Sequence, residues 1–243
     1  MRSREALVGA RTKLVNHVRG AVKSFGARLP KCTVASFHKK VPEHVPEALL
    51  PALAPLLETI ASLSERIRGY DRELEAIAAE HYPETELVRQ VPGVGPLTAL
   101  AFVLVVEDPG RFEKSRTVGA YLGLVPGKDQ SGDSDPQERI SEQGDEMLRR
   151  LLVGSARYIL GPFGKDSDLR RHGEKIYERG GKNAKKRAVV AVARKLSVLL
   201  HRLWVTGETP TNRCAIARIM SAPETGQHKG RRRNEQATAE GQR

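Results

Sequence analysis

The sequence predicts a mainly α fold: a coiled-coil helical segment followed by a compact helical domain that contains a helix-hairpin-helix. Three patterns carry that prediction. Leu49, Leu53, Leu56, Ile60, Leu63, Ile67, Tyr70, Leu74 and Ile77 repeat in alternating steps of four and three, the seam of a heptad helix. Val91-Pro92-Gly93-Val94-Gly95-Pro96-Leu97-Thr98-Ala99 is a glycine-rich turn between two apolar helical segments. Val189, Val192, Ala193, Leu196, Leu199, Leu200 and Leu203 mark a closing amphipathic helix over 184–205.

Taken in order, residues 4–29 read as a basic amphipathic helix, with Leu7, Leu14, Val15, Val18, Val22, Phe25 and Leu29 on one stripe and Arg11 breaking it. Its cations form either a solvated face or a set of phosphate contacts. Residues 30–46, with Pro30, Pro42 and Pro46 beside Lys39-Lys40, read as a linker. The heptad seam follows over 47–86. Pro51 and Pro55 fit a helix interior poorly, so the regular part is expected to start near Pro55. A helix packed inside its own domain shows similar spacing, but the strictness of the seam favours a partner helix, in cis or in a second chain. Residues 87–210 form the compact domain, with short helices over 115–122 and 146–159, a polar glycine-rich stretch over 161–183, and the closing helix. Beyond Pro210 the chain is polar and contains Arg231-Arg232-Arg233, so 211–243 is expected to be a disordered basic tail.

Composition narrows the function. A net charge of +12 points to a polyanionic partner, DNA or RNA before an anionic membrane. No apolar run approaches the roughly 18 residues of a membrane span, and the first residues lack the apolar core of a secretory signal. Cys32 and Cys214 lack metal-ligand spacing, which suits a reducing, cytoplasmic setting. Aromatics make up only 5% of the chain, which argues against a base-stacking platform for single strands.

Two stretches carry candidate chemistry. At the glycine turn, Gly93 and Gly95 permit positive φ and close approach of a DNA phosphate to backbone N–H groups at a helix start, where the Thr98 hydroxyl adds a donor. Such contacts hold a duplex without reading its sequence. An ordinary interhelical turn has the same composition. The second stretch is the loop over 123–145, rich in Gly, Ser, Asp and Pro, the kind of long loop that carries function. Ser131 lies between Gln130 and Gly132. A serine hydroxyl needs a base, a metal or a positive field to attack, and Arg139, Arg149 and Arg150 supply that field and clamp phosphate oxygens. Ser134 and Ser141 are rival nucleophiles, and Asp129, Asp133 and Asp135 are candidate metal ligands; the bland alternative is a solvated loop. Lys182, Lys185, Lys186 and Arg187 open the closing helix, where cations oppose the macrodipole and a nucleic acid would relieve the strain.

The order of these motifs resembles the C-terminal half of the insertion-sequence transposases of the one-hundred-and-ten class, which include Piv-like invertases and RNA-guided serine recombinases. The matching residues are Val91 to Pro96, Arg111-Phe112, Ala120 to Pro126, Gln130-Ser131-Gly132, Arg139-Ile140-Ser141, Gly144-Asp145, Leu148 to Leu152 and Ala191 to Leu196. The resemblance covers 87–208 closely. It implies that Ser131 is a nucleophile forming a phosphoserine link to cut DNA, with a structured guide RNA as a second partner; the heptad seam itself points to homo-oligomers formed through the coiled coil. It also implies Mg in the full-length enzyme, held by the acids of an N-terminal RNase H-like domain. No such acids precede Arg11, so the chain is expected to bind no cofactor alone and to act only with that domain supplied. The alternative is a non-catalytic nucleic-acid-binding and oligomerising module.

Overall fold

A computed structural model describes residues 1–127 and 139–207. Among these the secondary structure is helical apart from turns and one isolated antiparallel bridge between Pro126 and Ile140. The chain divides into two compact units, Met1–Pro83 and Glu84–Arg243.

The first unit pairs two long helices, α1 (Arg2–Ser24) and α3 (Leu50–His81), with the short helix α2 (Phe37–Lys40) between them. α1 buries Val15, Val18 and Val22 and stops at Gly26, whose φ of +87° suits a residue without a Cβ. There the Ala27 N–H closes back on the Val22 carbonyl at 3.1 Å. Residues 30–46, which read as a linker, carry Phe37, Val41 and Val45, all buried in the core of this unit. Their spacing of four is one helical face, a signal that the three prolines obscured.

α3 corrects two expectations. It begins at Leu50 rather than near Pro55. Pro51 sits in the first turn, where a missing N–H costs nothing, and the exposed Pro55 forfeits a single bond. The buried stripe is Leu53, Leu57, Ile60, Ser64 and Ile67, so half of the heptad seam is displaced by one residue. Arg11 meets this stripe: its Nη1 donates to Ser64 Oγ at 3.2 Å, and the Ser64 hydroxyl donates to the Ile60 carbonyl at 2.7 Å. The polar break in the α1 stripe thus meets the one polar residue of the α3 stripe. Leu56, Leu63, Tyr70 and Leu74 are left half-buried and Ile77 is 42% exposed. The segment Glu47–His81 is also long and apolar enough, by length and composition, to cross a membrane, which amends the reading that no run reaches that length. In this fold its Leu53, Leu57 and Ile60 join the core shared with α1.

The second unit is organised around α9 (Ala184–Thr206), which packs against α4 (Glu84–Arg89), α6 (Thr117–Tyr121), α7 (Glu146–Leu160) and α8 (Asp168–Glu178). α5 (Pro96–Val106) is apolar on all sides and buries Ala99, Leu100, Ala101, Phe102, Val103 and Val106, the pattern of a central helix. α7 and α8 each start with a side-chain cap. Asp145 Oδ1 accepts from the Leu148 N–H at 2.7 Å, and Ser167 Oγ from the Arg170 N–H at 3.2 Å, each worth about 1 kcal/mol.

α8 was hidden within the glycine-rich 161–183 stretch. Gly173 reads as a breaker but is the contact residue of this helix. A Cβ there would lie 2.5 Å from Leu160 Cδ2 and 2.7 Å from Val192 Cγ2. Its absence lets α8 settle against α7 and α9 at once.

Candidate nucleic-acid interface

The glycine turn is built between α4 and α5. Val91 and Val94 are buried at either side of it, and the Val94 N–H donates to the Val91 carbonyl at 3.0 Å. Gly93 adopts φ +93°. Its missing Cβ would meet Ile159 Cγ1 and Tyr158 Cδ1, both at 3.1 Å, and the Ser155 carbonyl oxygen at 3.3 Å. Gly93 therefore serves both a left-handed turn and close packing on α7. Gly95 differs from the expectation of positive φ: at φ −87° it is the extended residue before α5. The space where its side chain would be is open, so the helix start is unobstructed there. Pro96 occupies the first turn. Thr98 is 6% exposed; its side chain belongs to the packing of α5 and not to an outward rim.

The second stretch has a rigid base. Residues 123–127 and 139–142 run against each other, with the Gly127 N–H donating to the Arg139 carbonyl at 2.7 Å and the Ser141 N–H to the Val125 carbonyl at 2.8 Å. The two segments meet at glycines that nothing larger could replace. A Cβ on Gly123 (φ +66°) would fall 2.2 Å from the Gln143 oxygen, and one on Gly144 (φ +82°) 2.2 Å from the Tyr121 oxygen. Arg149 locks the same place from α7. It is buried, and its Nη1 donates to the Leu122 carbonyl at 3.2 Å and the Gln143 carbonyl at 2.9 Å. Both ends of the loop are thereby fixed on one foundation. Ser131, Ser134 and the three aspartates Asp129, Asp133 and Asp135 lie outside the described residues. Ser141 is half-buried in the base itself.

The candidate cations fall into two groups. Arg149 faces inward, onto backbone carbonyls. Arg139 and Arg150 are exposed, as are Lys182, Lys185, Lys186 and Arg187 at the start of α9. Arg187 Nη2 also donates to the Gly180 carbonyl at 2.6 Å, stiffening the positive-φ pair Gly180-Gly181 that precedes the helix.

Two further features escaped the sequence reading. On the α8–α9 face, burial first and then Lys195, Arg179 and Lys175 hold the His172 imidazole below its ordinary value. Burial likewise lowers Lys195. Such a crowd of cations favours an anion, and the i, i+3, i+7 spacing of His172, Lys175 and Arg179 was its signal. Second, His201 is buried on α9 with Nε2 2.9 Å from the Pro109 carbonyl and Nδ1 3.1 Å from Ser115 Oγ. A carbonyl only accepts, so Nε2 carries a proton. This ring, packed edge-on to Phe112, ties α9 to the segment before α6; no local pattern could have announced partners so distant in sequence.

Among the described residues no three His, Cys, Asp or Glu side chains converge as a metal site. The described residues therefore offer no ligand set for Mg.

The model of the transposase IS116/IS110/IS902 family matches residues 85–172. The transposase for insertion sequence element IS1111A of Coxiella burnetii is 33% identical over 221 residues, 86% of this chain and 58% of that protein. The transposase for insertion sequence element IS1328 of Yersinia enterocolitica is 34% identical over 65% of this chain and 48% of its own length. A probable family 20 transposase of Pseudomonas aeruginosa is 31% identical over 70% of this chain and 52% of its own length. The chain thus spans about half the length of the curated relatives it matches.

Proposed function

The chain belongs to the IS116/IS110/IS902 transposase family, and from that membership we propose that it carries the DNA-gripping and strand-cutting part of a transposase, with Ser131 as nucleophile. The observation that carries this reading is the base of the loop. Two obligatory glycines and a buried arginine hold residues 122–127 and 139–144 together, the stretches that flank the Gln130-Ser131-Gly132 motif in sequence.

In the proposed reaction the Ser131 oxygen forms a bond to phosphorus as a phosphorus–oxygen bond of the DNA strand breaks. The serine proton leaves and the departing strand oxygen takes one up. The phosphoserine link then keeps the strand end ready for rejoining. Arg139 and Arg150 are exposed beside the loop base and would neutralise phosphate oxygens. The turn at Gly93–Gly95 and the basic start of α9 would position the duplex, the former as a helix-hairpin-helix. A structured RNA suits the same cations. Self-association belongs to this reading too, through the edge of α3 that leaves Ile77 in water.

The test is covalent capture of a labelled DNA strand, with and without a metal-binding acidic domain added in trans. Attachment that disappears in Ser131→Ala supports the assignment; attachment that persists in that variant removes Ser131 from the role. A second reading, a binding and oligomerising module without chemistry, is favoured by the cationic face alone. It predicts salt-dependent DNA binding and no attachment under either condition.

A further inference from the structure

Directly after α7 the chain makes a tight turn, Gly161-Pro162-Phe163-Gly164, that holds a phenyl ring out in water. Phe163 is 79% exposed, more than any other large apolar side chain among the described residues. The turn beneath it is firmly built. Arg170 Nη1 donates to three carbonyls, those of Ile159 at 3.1 Å, Gly161 at 2.7 Å and Gly164 at 3.1 Å. Glu174 Oε1 steadies that guanidinium by accepting from its Nε at 2.8 Å. Gly164 admits no side chain, since a Cβ would sit 2.0 Å from the Ile159 oxygen. A solvent loop needs none of this, because water would satisfy the same carbonyls.

The surroundings select the occupant. Arg157 and Lys165 are exposed on either side of the turn. Of the nearby acids Glu174 is paired with Arg170, and Asp166 and Asp168 share Arg171, so Arg157 and Lys165 leave the turn with a positive balance. Tyr158, 49% exposed, lies beside Gly93, so this aromatic end of α7 adjoins the turn proposed above to face DNA phosphates. Aromatic rings flanked by net positive charge suit a nucleobase and its phosphate. A second copy seated on this turn by its own turn would bring Arg157 and Lys165 against the same two cations.

We propose that the 161–164 turn is a base-stacking site, in which Phe163 stacks on a base that has left the double helix while Arg157 and Lys165 meet the adjacent phosphates. Strand exchange exposes such bases, and insertion of a rigid apolar ring stabilises the unstacked state. The inference rests on the DNA-handling reading above, and its test separates the two.

The experiment measures binding of the whole chain, by fluorescence anisotropy, to a perfect duplex and to the same duplex carrying a two-base bulge. The expected result is a preference for the bulged duplex that falls about tenfold in Phe163→Ala, the scale of one lost base–aromatic stack, with perfect-duplex binding unchanged. Phe163→Trp retains the preference. Equal binding of both duplexes by the native chain, or an unaltered preference in Phe163→Ala, overturns the stacking site while leaving DNA handling intact. A fall in self-association in Phe163→Ala, with DNA binding unchanged, overturns it in favour of a protein contact. Failure of the native chain to bind either duplex refutes the DNA-handling reading itself.

Discussion

Replacing Arg149 by Met separates two roles for this arginine that the sequence left merged. A phosphate clamp would be exposed and dispensable for folding. The structure instead buries the guanidinium and has it donate to the Leu122 and Gln143 carbonyls. Each bond from an ionised donor contributes about 1.5–3 kcal/mol, so losing both costs roughly 3–6. Release of a buried charge offsets part of that, by about 1–2 kcal/mol. The net is a destabilisation of about 2–4 kcal/mol, or a fall of roughly 6–12 °C in the melting temperature of a unit this size. Arg149→Lys, with one compact donor group, should recover less than half of the loss. The assay is thermal unfolding followed by circular dichroism, paired with DNA affinity as a function of salt. Arg149→Met is expected to lower the melting temperature and to leave the salt slope of the folded protein unchanged. An unchanged melting temperature with a salt slope reduced by about one phosphate contact would refute the inward role.

Three other perturbations follow from the same geometry. Gly173→Ala drives a methyl group into Leu160 and Val192 at 2.5 and 2.7 Å and should cost about 1–3 kcal/mol in urea unfolding; a neutral result would mean α8 is not seated as described. His172, held below its ordinary value by burial and then by Lys195, Arg179 and Lys175, takes a proton more readily unfolded than folded. Stability should therefore fall as pH drops through about 6.5 and level off below the folded value. His172→Gln should make that limb shallower in urea titrations on either side of this pH, and His38 in the first unit, lowered by burial and by Lys39, Arg68 and Arg11, contributes in the same direction. Lys185→Met with Lys186→Met, both exposed on α9, should flatten the dependence of log affinity on log salt by about two if each meets a phosphate, as read by filter binding over a salt series.

Much of the fold was legible because it is written locally. Leu53, Ile60 and Ile67 belong to both the heptad seam and the buried stripe of α3. The α5 and α9 helices follow from their apolar runs. What the sequence concealed depends on partners far along the chain. The buried stripe runs through Leu57 and Ser64, where Ser64 meets Arg11 of α1, a residue fifty-three positions away. Gly173 looks like a helix breaker until Leu160 and Val192 come against it. At the candidate interface, residue types were informative and orientations were not. Arg149 and Arg150 are adjacent in sequence, yet one is buried under a loop and the other exposed, a difference set by the one-hundred-degree step of a helix against a neighbour the sequence does not name.

The most direct test of the central claim is to locate the protein–DNA bond. The whole chain, with an acidic metal-binding domain added in trans, is incubated with labelled DNA and digested, and the peptide that retains a nucleotide is identified by mass spectrometry. The account predicts a phosphodiester on Ser131. A bond on Ser134 or Ser141, or trapped DNA with no modified serine between 127 and 142, would contradict it.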